Sequence, residues 1–372
     1  MVDILNIPQP ISSPHNCSVH NCVLNITELD KLYGLGHLQP MGFQNPLKNL
    51  SSSIVVDGNE FYRSYFRPKI PYLVRNMTQI PKIYKQDKLL NLHTGNWRII
   101  VEKQNRIIHD HREPFWTNWN FSKFLKSYKM SPYYAITGSL PQKLKISHPP
   151  QIKECSILET NVMEDRLWMS YGNTSSSLHF DTHDNMLHQI HGIKEIFLWN
   201  PEITPFTYMD FHTRYGLSPI NTDKVDKIRF AEFSKHQPYF VVLFPGDMLY
   251  LPTLWWHQLR SPLGRNIMYT QEFKVKVNKV NIKPVITQSK SEALLHAWKH
   301  TLTNLPTNCN PTDFKNKKID LRNEKFEVQH ENTIESATCY DFCNNPCEKL
   351  NGNFEVECKN CSSKYKCNPL TF

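Results

Sequence analysis

The chain has 372 residues, 40% hydrophobic and 21% charged, with a formal net charge of +9. That much apolar material excludes wholesale disorder, and no apolar run approaches the roughly 18 residues a membrane span needs. The basic balance fits an acidic partner such as nucleic acid, a histone or a phosphate-rich surface, and equally serves solubility alone.

Residues 1–52 are polar, rich in Pro and Asn and without a period, which reads as an extended arm. From Ser53 the pattern predicts a short strand, a helix from Asn59 to about 66, and a strand over Pro71–Arg75. A further strand is predicted at 96–104. Residues 120–129 read as a helix capped by Asn120 or Ser122, with Phe121, Phe124, Leu125 and Tyr128 at helical spacing facing a core. Residues 132–139 are strand-like, and 176–275 run as short β segments broken by turns, with no helix among them. A helix returns at 291–302, with Leu294, Leu295 and Trp298 on one side. After Pro306 the chain turns polar and Cys-rich. The predicted organisation is an arm (1–52), a main domain (53–280), a helical segment (281–306) and a Cys-rich tail (307–372).

Six of the ten cysteines, Cys339, Cys343, Cys347, Cys358, Cys361 and Cys367, crowd that tail. Too few large apolar residues lie there to build a core, so staples must hold any fold. Three disulfides are the first reading. A zinc site using the Cys358-x2-Cys361 pair is the other. N-x-[ST] sequons occur at Asn16, Asn25, Asn49, Asn76, Asn120, Asn173 and Asn360. Against secretion, residues 1–13 lack a basic segment followed by an apolar one. The expected location is a secretory lumen or the exterior if the chain continues upstream, and the cytoplasm or nucleus otherwise.

The chemistry-bearing segment is SLHFDTHDNMLHQIHGIKEIFLWNP, residues 177–201. If it is a strand, His179 and Asp181 share one face while Leu178 and Phe180 occupy the other. A third ligand comes from VVLFPGDMLYLPTLWWHQLRS, residues 241–261, where His257 sits on an apolar strand with Trp255 and Leu259. Two imidazoles and one carboxylate form the facial set that suits Fe(II) and leaves positions open. His183, His188 and His191 fall off the required positions and read as surface or outer residues. His109-Asp110-His111 sits in a polar loop and reads as solvated.

Together these words resemble the JmjC-domain, cupin-type 2-oxoglutarate oxygenases, in particular their small hydroxylase branch. The resemblance runs from about Ser53 to about Lys274 and is sharpest over 176–274. It implies a mainly β fold, a double-stranded β-helix or jelly roll over about 130–275, with helices packed outside. It implies Fe(II) as cofactor, 2-oxoglutarate and O2 as co-substrates, and His179, Asp181 and His257 as iron ligands. Lys194 falls where the family holds the distal carboxylate of 2-oxoglutarate. Asn185, Ser176 and Tyr134 match further active-site positions, with Tyr133 the alternative to Tyr134. In NIMYTQEF, Gln271 or Thr270 replaces a family asparagine. Hydroxylation of a protein side chain is the implied reaction. A histone or RNA substrate, with demethylation in the histone case, is the alternative, and a non-catalytic cupin-fold binding protein is the second.

Overall fold

The computed structural model describes residue 41 and residues 47–94, 97–103, 116–130, 133–138, 140–208, 216–223, 225–274 and 305–310. It also describes short strands at 15–17, 22–24, 38–39, 354–357 and 364–367, and positions 295, 298, 299 and 302. Those last four positions are helical, within the helix the sequence predicts at 291–302. Apart from residues 307–310 and the backbone of its two short strands, the Cys-rich tail (307–372) lies outside the described residues, as does His109–His111.

Near the start, β1 (His15–Cys17) and β2 (Cys22–Leu24) form an antiparallel hairpin that sets Cys17 opposite Cys22. β3 (Leu38–Gln39) and β4 (Lys48–Asn49) follow. The predicted helix at 59–66 begins earlier. Asp57 accepts from the Glu60 amide at 2.8 Å and starts α1 (Gly58–Phe61), which continues as one π-helical stretch, Tyr62–Phe66. β5 (Tyr72–Val74) leads to α2 (Asp87–Thr94), β6 (Arg98–Lys103) and β7 (Trp116–Asn120). α3 (Phe121–Ser127) matches the predicted helix, but its cap position Asn120 makes no side-chain cap bond. β8 (Tyr133–Ile136), the short helices α4 (Pro150–Lys153) and α5 (Ser156–Glu159), and β9 (Val162–Ser170) complete the approach to the site.

The strands that carry the site are β10 (Thr174–Ser175), β11 (Asp184–His191) and β12 (Lys194–Trp199). After β13 (Val225–Asp226), which pairs with β3, come β14 (Tyr239–Leu243), β15 (Met248–Leu251), β16 (Trp256–Ser261) and β17 (Asn266–Phe273). The region is not wholly helix-free. A 3-10 helix, Pro201–Phe206, and α6 (Ala231–Ser234) interrupt it, both too short for periodicity to reveal.

Two sheets face each other in a jelly roll. One has the order β5-β15-β11-β17-β9-β8-β6-β7 and the other β10-β16-β12-β14-β4. The larger sheet therefore recruits β5, β6 and β7, from before residue 130, where the sequence reading began the barrel. Alternation sorts side chains into layers. Ile196, Leu198, Leu187, Leu249 and Leu259 fill the space between the sheets. Phe197, Trp199, Phe240 and Trp256 turn to the outer side of the smaller sheet, where they pack with Leu178 and Phe180. Gly246, at φ +98°, makes the tight turn from β14 to β15, a conformation that favours glycine.

The larger sheet is covered on its outer side by α1 and its π-helical extension, the α4–α5 segment and residues 305–310. A disulfide joins Cys155 to Cys309, with Cα atoms 5.2 Å apart.

Candidate metal and co-substrate site

His179 is not on a regular strand. It forms an isolated bridge with His257 through reciprocal backbone bonds, 3.0 Å from its amide and 2.7 Å to its carbonyl. Continuous strand begins only at Asp184. The alternation inferred from the sequence survives because Leu178 and Phe180 are pulled into the outer apolar layer. The Phe180 ring meets Trp256 edge-on at 5.0 Å. His179 and Asp181 are thereby left on the inner side.

The bridge sets the two imidazole rings 4.1 Å apart. Each Nδ1 lies beside the backbone carbonyl two residues earlier. These are Ser177 at 2.7 Å for His179 and Trp255 at 2.8 Å for His257. A carbonyl only accepts, so both Nδ1 atoms carry the proton and both Nε2 lone pairs are free to ligate. Burial pushes His257 down to about 4, helped by the neighbouring His179, so its ring is neutral near pH 7. For Asp181, burial alone would raise the pKa. The three neighbouring histidines, His257, His179 and His183, and the Asn185 amide outweigh it and hold the carboxyl below its usual value. The ligand atoms of His179, Asp181 and His257 all lie within 4.8 Å of one another, and this is the His/Cys/Asp/Glu cluster of that kind among the described residues.

The surroundings hold Asp181 from several sides. Asn185 donates Nδ2–H to its Oδ2 at 2.8 Å. The Asp181 carbonyl accepts from the Leu254 amide at 2.8 Å and the Thr253 hydroxyl at 3.2 Å. His183 lies outside the ligand set, with Nε2 3.5 Å from Glu272.

Lys194 is 1% exposed. Its position on β12 puts it on the same face as Ile196 and Leu198, which point to the interior. Its ammonium donates to Ser261 Oγ at 2.6 Å and sits 5.5 Å from the centre of the Tyr134 ring. No carboxylate among the described residues pairs with it, and burial lowers its pKa to about 7. A buried ammonium with one hydroxyl for company is costly, and a ligand carboxylate would supply the missing charge. Tyr134, rather than Tyr133, faces Lys194; Tyr133 packs with Trp119 in the outer core. Arg265 is committed elsewhere, to Asp87 at 2.8 Å and the Tyr84 carbonyl at 2.9 Å.

Two sequence-derived assignments change. Gln271 is turned to the outer side of the larger sheet, where its Oε1 meets His188 Nε2 at 3.1 Å. Thr270, one residue away, takes the opposite face and accepts from Trp168 Nε1 at 3.1 Å. Trp168 in turn lies against Tyr134, with ring centres 5.7 Å apart. His188 is buried rather than superficial. It is also bonded to Thr78 at 2.8 Å, and burial pushes it down to about 4. Ser176 joins the framework: its Oγ accepts from the Leu259 amide at 3.0 Å.

Sequence reasoning missed Ser261 and the ion pair Lys69–Asp184. Ser261 enters because β12 and β16 pair with Glu195 opposite Arg260. Asp184 lies 2.7 Å from Lys69 and also receives Tyr250 Oη–H and the Thr253 amide. Both pairings join residues distant in sequence, so no local word signals them.

Comparison with known proteins agrees in kind. The sequence matches the cupin-like domain family over residues 59–279. The lysine-specific demethylase JMJ30 of Arabidopsis thaliana is 29% identical over 217 residues, 54% of this chain and 49% of that protein. Lysine-specific demethylase 8 of Danio rerio is 25% identical over 235 residues, 58% of this chain and 56% of its own. HSPB1-associated protein 1 of Homo sapiens is 34% identical over 105 residues, 27% and 22%. The chain spans about half, or less, of the length of these relatives.

Proposed function

The chain belongs to the cupin-like, JmjC-type family, and from that premise we propose that it is an Fe(II)- and 2-oxoglutarate-dependent dioxygenase that hydroxylates a protein side chain. The observation that carries this reading is the pairing of two features on the inner side of the two sheets. Three metal-ligating groups converge, and a buried ammonium with no carboxylate partner among the described residues lies on the same interior side. Two neutral imidazoles and a carboxylate are the donor set that Fe(II) accepts with positions to spare. When bound, Fe(II), 2-oxoglutarate and O2 supply an oxidant able to oxygenate a C–H bond, with succinate and CO2 as co-products.

The chain's own residues do the rest. His179 and His257 hold their Nε2 atoms toward the metal because the carbonyls of Ser177 and Trp255 fix each Nδ1 proton. Asn185 fixes one Asp181 oxygen. Lys194, steadied by Ser261, takes the distal carboxylate of the co-substrate as a charge-assisted bond. Leu187, Leu251 and Trp255 line the interior with apolar surface and keep water out.

A second reading, lysine demethylation, is favoured by the names of two relatives. It uses the same site and differs only in product: a hydroxylated N-methyl group collapses to release formaldehyde. The test is 2-oxoglutarate turnover with Fe(II) and ascorbate, read as succinate, with formaldehyde assayed in parallel. Succinate that disappears in His179→Ala supports the reading. Equal succinate from wild type and variant contradicts it.

Co-substrate affinity depends on pH in a definite direction. Lys194 is depressed from its ordinary range to about 7 before ligand binds, and only its protonated form attracts a carboxylate. Affinity for 2-oxoglutarate is full below pH 7 and weakens above it, by up to about tenfold per pH unit. Calorimetric titration at pH 6.5, 7.5 and 8.5 in buffers of different ionisation heat should show proton uptake at the higher values. A flat affinity across that range would remove Lys194 from the role.

A further inference from the structure

Two independent features concern the compartment rather than the metal. The first is the Cys155–Cys309 bridge, which joins residues 154 positions apart in sequence. Both cysteines are buried in the layer beneath α1, and the segment around Cys309 is seated by other bonds as well. Tyr62 Oη donates to the Pro306 carbonyl at 2.9 Å, Ile157 donates its amide to the Cys309 carbonyl at 3.2 Å, and Ser156 donates its amide to Asn310 Oδ1 at 2.7 Å. The fold itself therefore presents the two sulfurs to each other. Bridges of this kind persist in oxidising compartments and are rare in the cytosol.

The second feature is the sequons. Four of them fall on described residues: Asn49-Leu50-Ser51, Asn76-Met77-Thr78, Asn120-Phe121-Ser122 and Asn173-Thr174-Ser175. All four asparagines are exposed. The buried asparagines Asn185 and Asn266 are not followed by the acceptor pattern. None of the four takes part in the metal-site or Lys194 contacts. Asn173 sits in the turn between β9 and β10 at φ +52°, a tip open to solvent.

We propose that the chain matures in an oxidising, glycosylating lumen, where it closes the Cys155–Cys309 bridge and gains N-linked glycan on at least one of Asn49, Asn76, Asn120 and Asn173. Closing the bridge removes two electrons and two protons from the thiols, passed to a disulfide-carrying oxidoreductase that is itself reduced to a dithiol. In glycan attachment the asparagine Nδ2 loses a proton and bonds the sugar C1. The lipid-linked pyrophosphate is the leaving group. For the catalysis, and resting on the oxygenase reading above, the consequence is that the substrate is a luminal or extracellular protein. That separates the two readings of the reaction, because nucleosomal histones do not share that space.

The test needs no enzyme assay, so its failure is distinct from failure of the oxygenase reading. The protein is recovered from the cells that make it and alkylated without reductant. Half is then treated with peptide-N-glycosidase F in 18O-water, and both halves are mapped by peptide mass spectrometry. The expected result is a cross-linked peptide pair holding Cys155 and Cys309, with labelled aspartate at one or more of the four asparagines. Four unmodified asparagines, or alkylated Cys155 and Cys309, overturns the proposal.

Discussion

Lys194→Met should weaken 2-oxoglutarate binding by on the order of 100-fold or more, while the ligand-free protein becomes no less stable than wild type. The two halves have one cause. Truncating one partner of a buried charge pair costs about 2–5 kcal/mol of binding. In the ligand-free protein, however, the ammonium has, among the described residues, only Ser261 Oγ within bonding reach and no carboxylate, so its burial is already a penalty that methionine relieves. Its depressed pKa has the same origin. A urea midpoint at or above that of wild type, with a KM for 2-oxoglutarate far above it, is the expected pair of results. A large loss of stability would mean that Lys194 is a structural residue.

The buried ion pair behaves in the opposite way. Asp184→Ala leaves Lys69 buried without its partner, and breaking such a pair costs about 3–5 kcal/mol. Lys69 is already hard to keep charged: burial lowers its pKa despite the attraction and hydrogen bonds of Asp184. The damage should reach the metal. Asp184 anchors the Thr253 amide, the Lys69 carbonyl accepts from Trp255 Nε1 at 2.9 Å, and the Trp255 carbonyl orients His257. Metal affinity should therefore fall together with stability. The double variant Lys69→Met/Asp184→Leu should recover much of the stability, since it removes both charges. Paired urea curves and Co(II) titrations check this. A single variant as stable as wild type would show the pair to be dispensable.

What the sequence made legible follows from range. His179, Asp181 and Lys194 lie within sixteen residues, and alternation alone assigned Ile196 and Leu198 to one side of β12 and Phe197 and Trp199 to the other. The same logic failed at Gln271. The sequence could not say which of two adjacent residues faces inward, and the register with β11 sets Thr270 opposite Leu187 and Gln271 opposite Met186. Ser261, Thr253 and Lys69 were invisible because each joins the site through a partner at least 67 residues away. The bridge between Cys155 and Cys309 was hidden for the same reason. In contrast five of the six tail cysteines, conspicuous in sequence, fall outside the described residues, and Cys367 is described only in the backbone of a short strand.

The account rests on one metal held by His179, Asp181 and His257, and metal stoichiometry tests it most directly. Wild type and Asp181→Ala are stripped with chelator, loaded anaerobically with Fe(II), desalted and assayed for iron per folded chain. The account predicts one iron per wild-type chain and none in the variant, with unchanged thermal unfolding of the two stripped proteins, because Asp181 belongs to the ligand cluster and not to the apolar core. Iron retained at full stoichiometry by Asp181→Ala, or no iron bound by wild type, would contradict it.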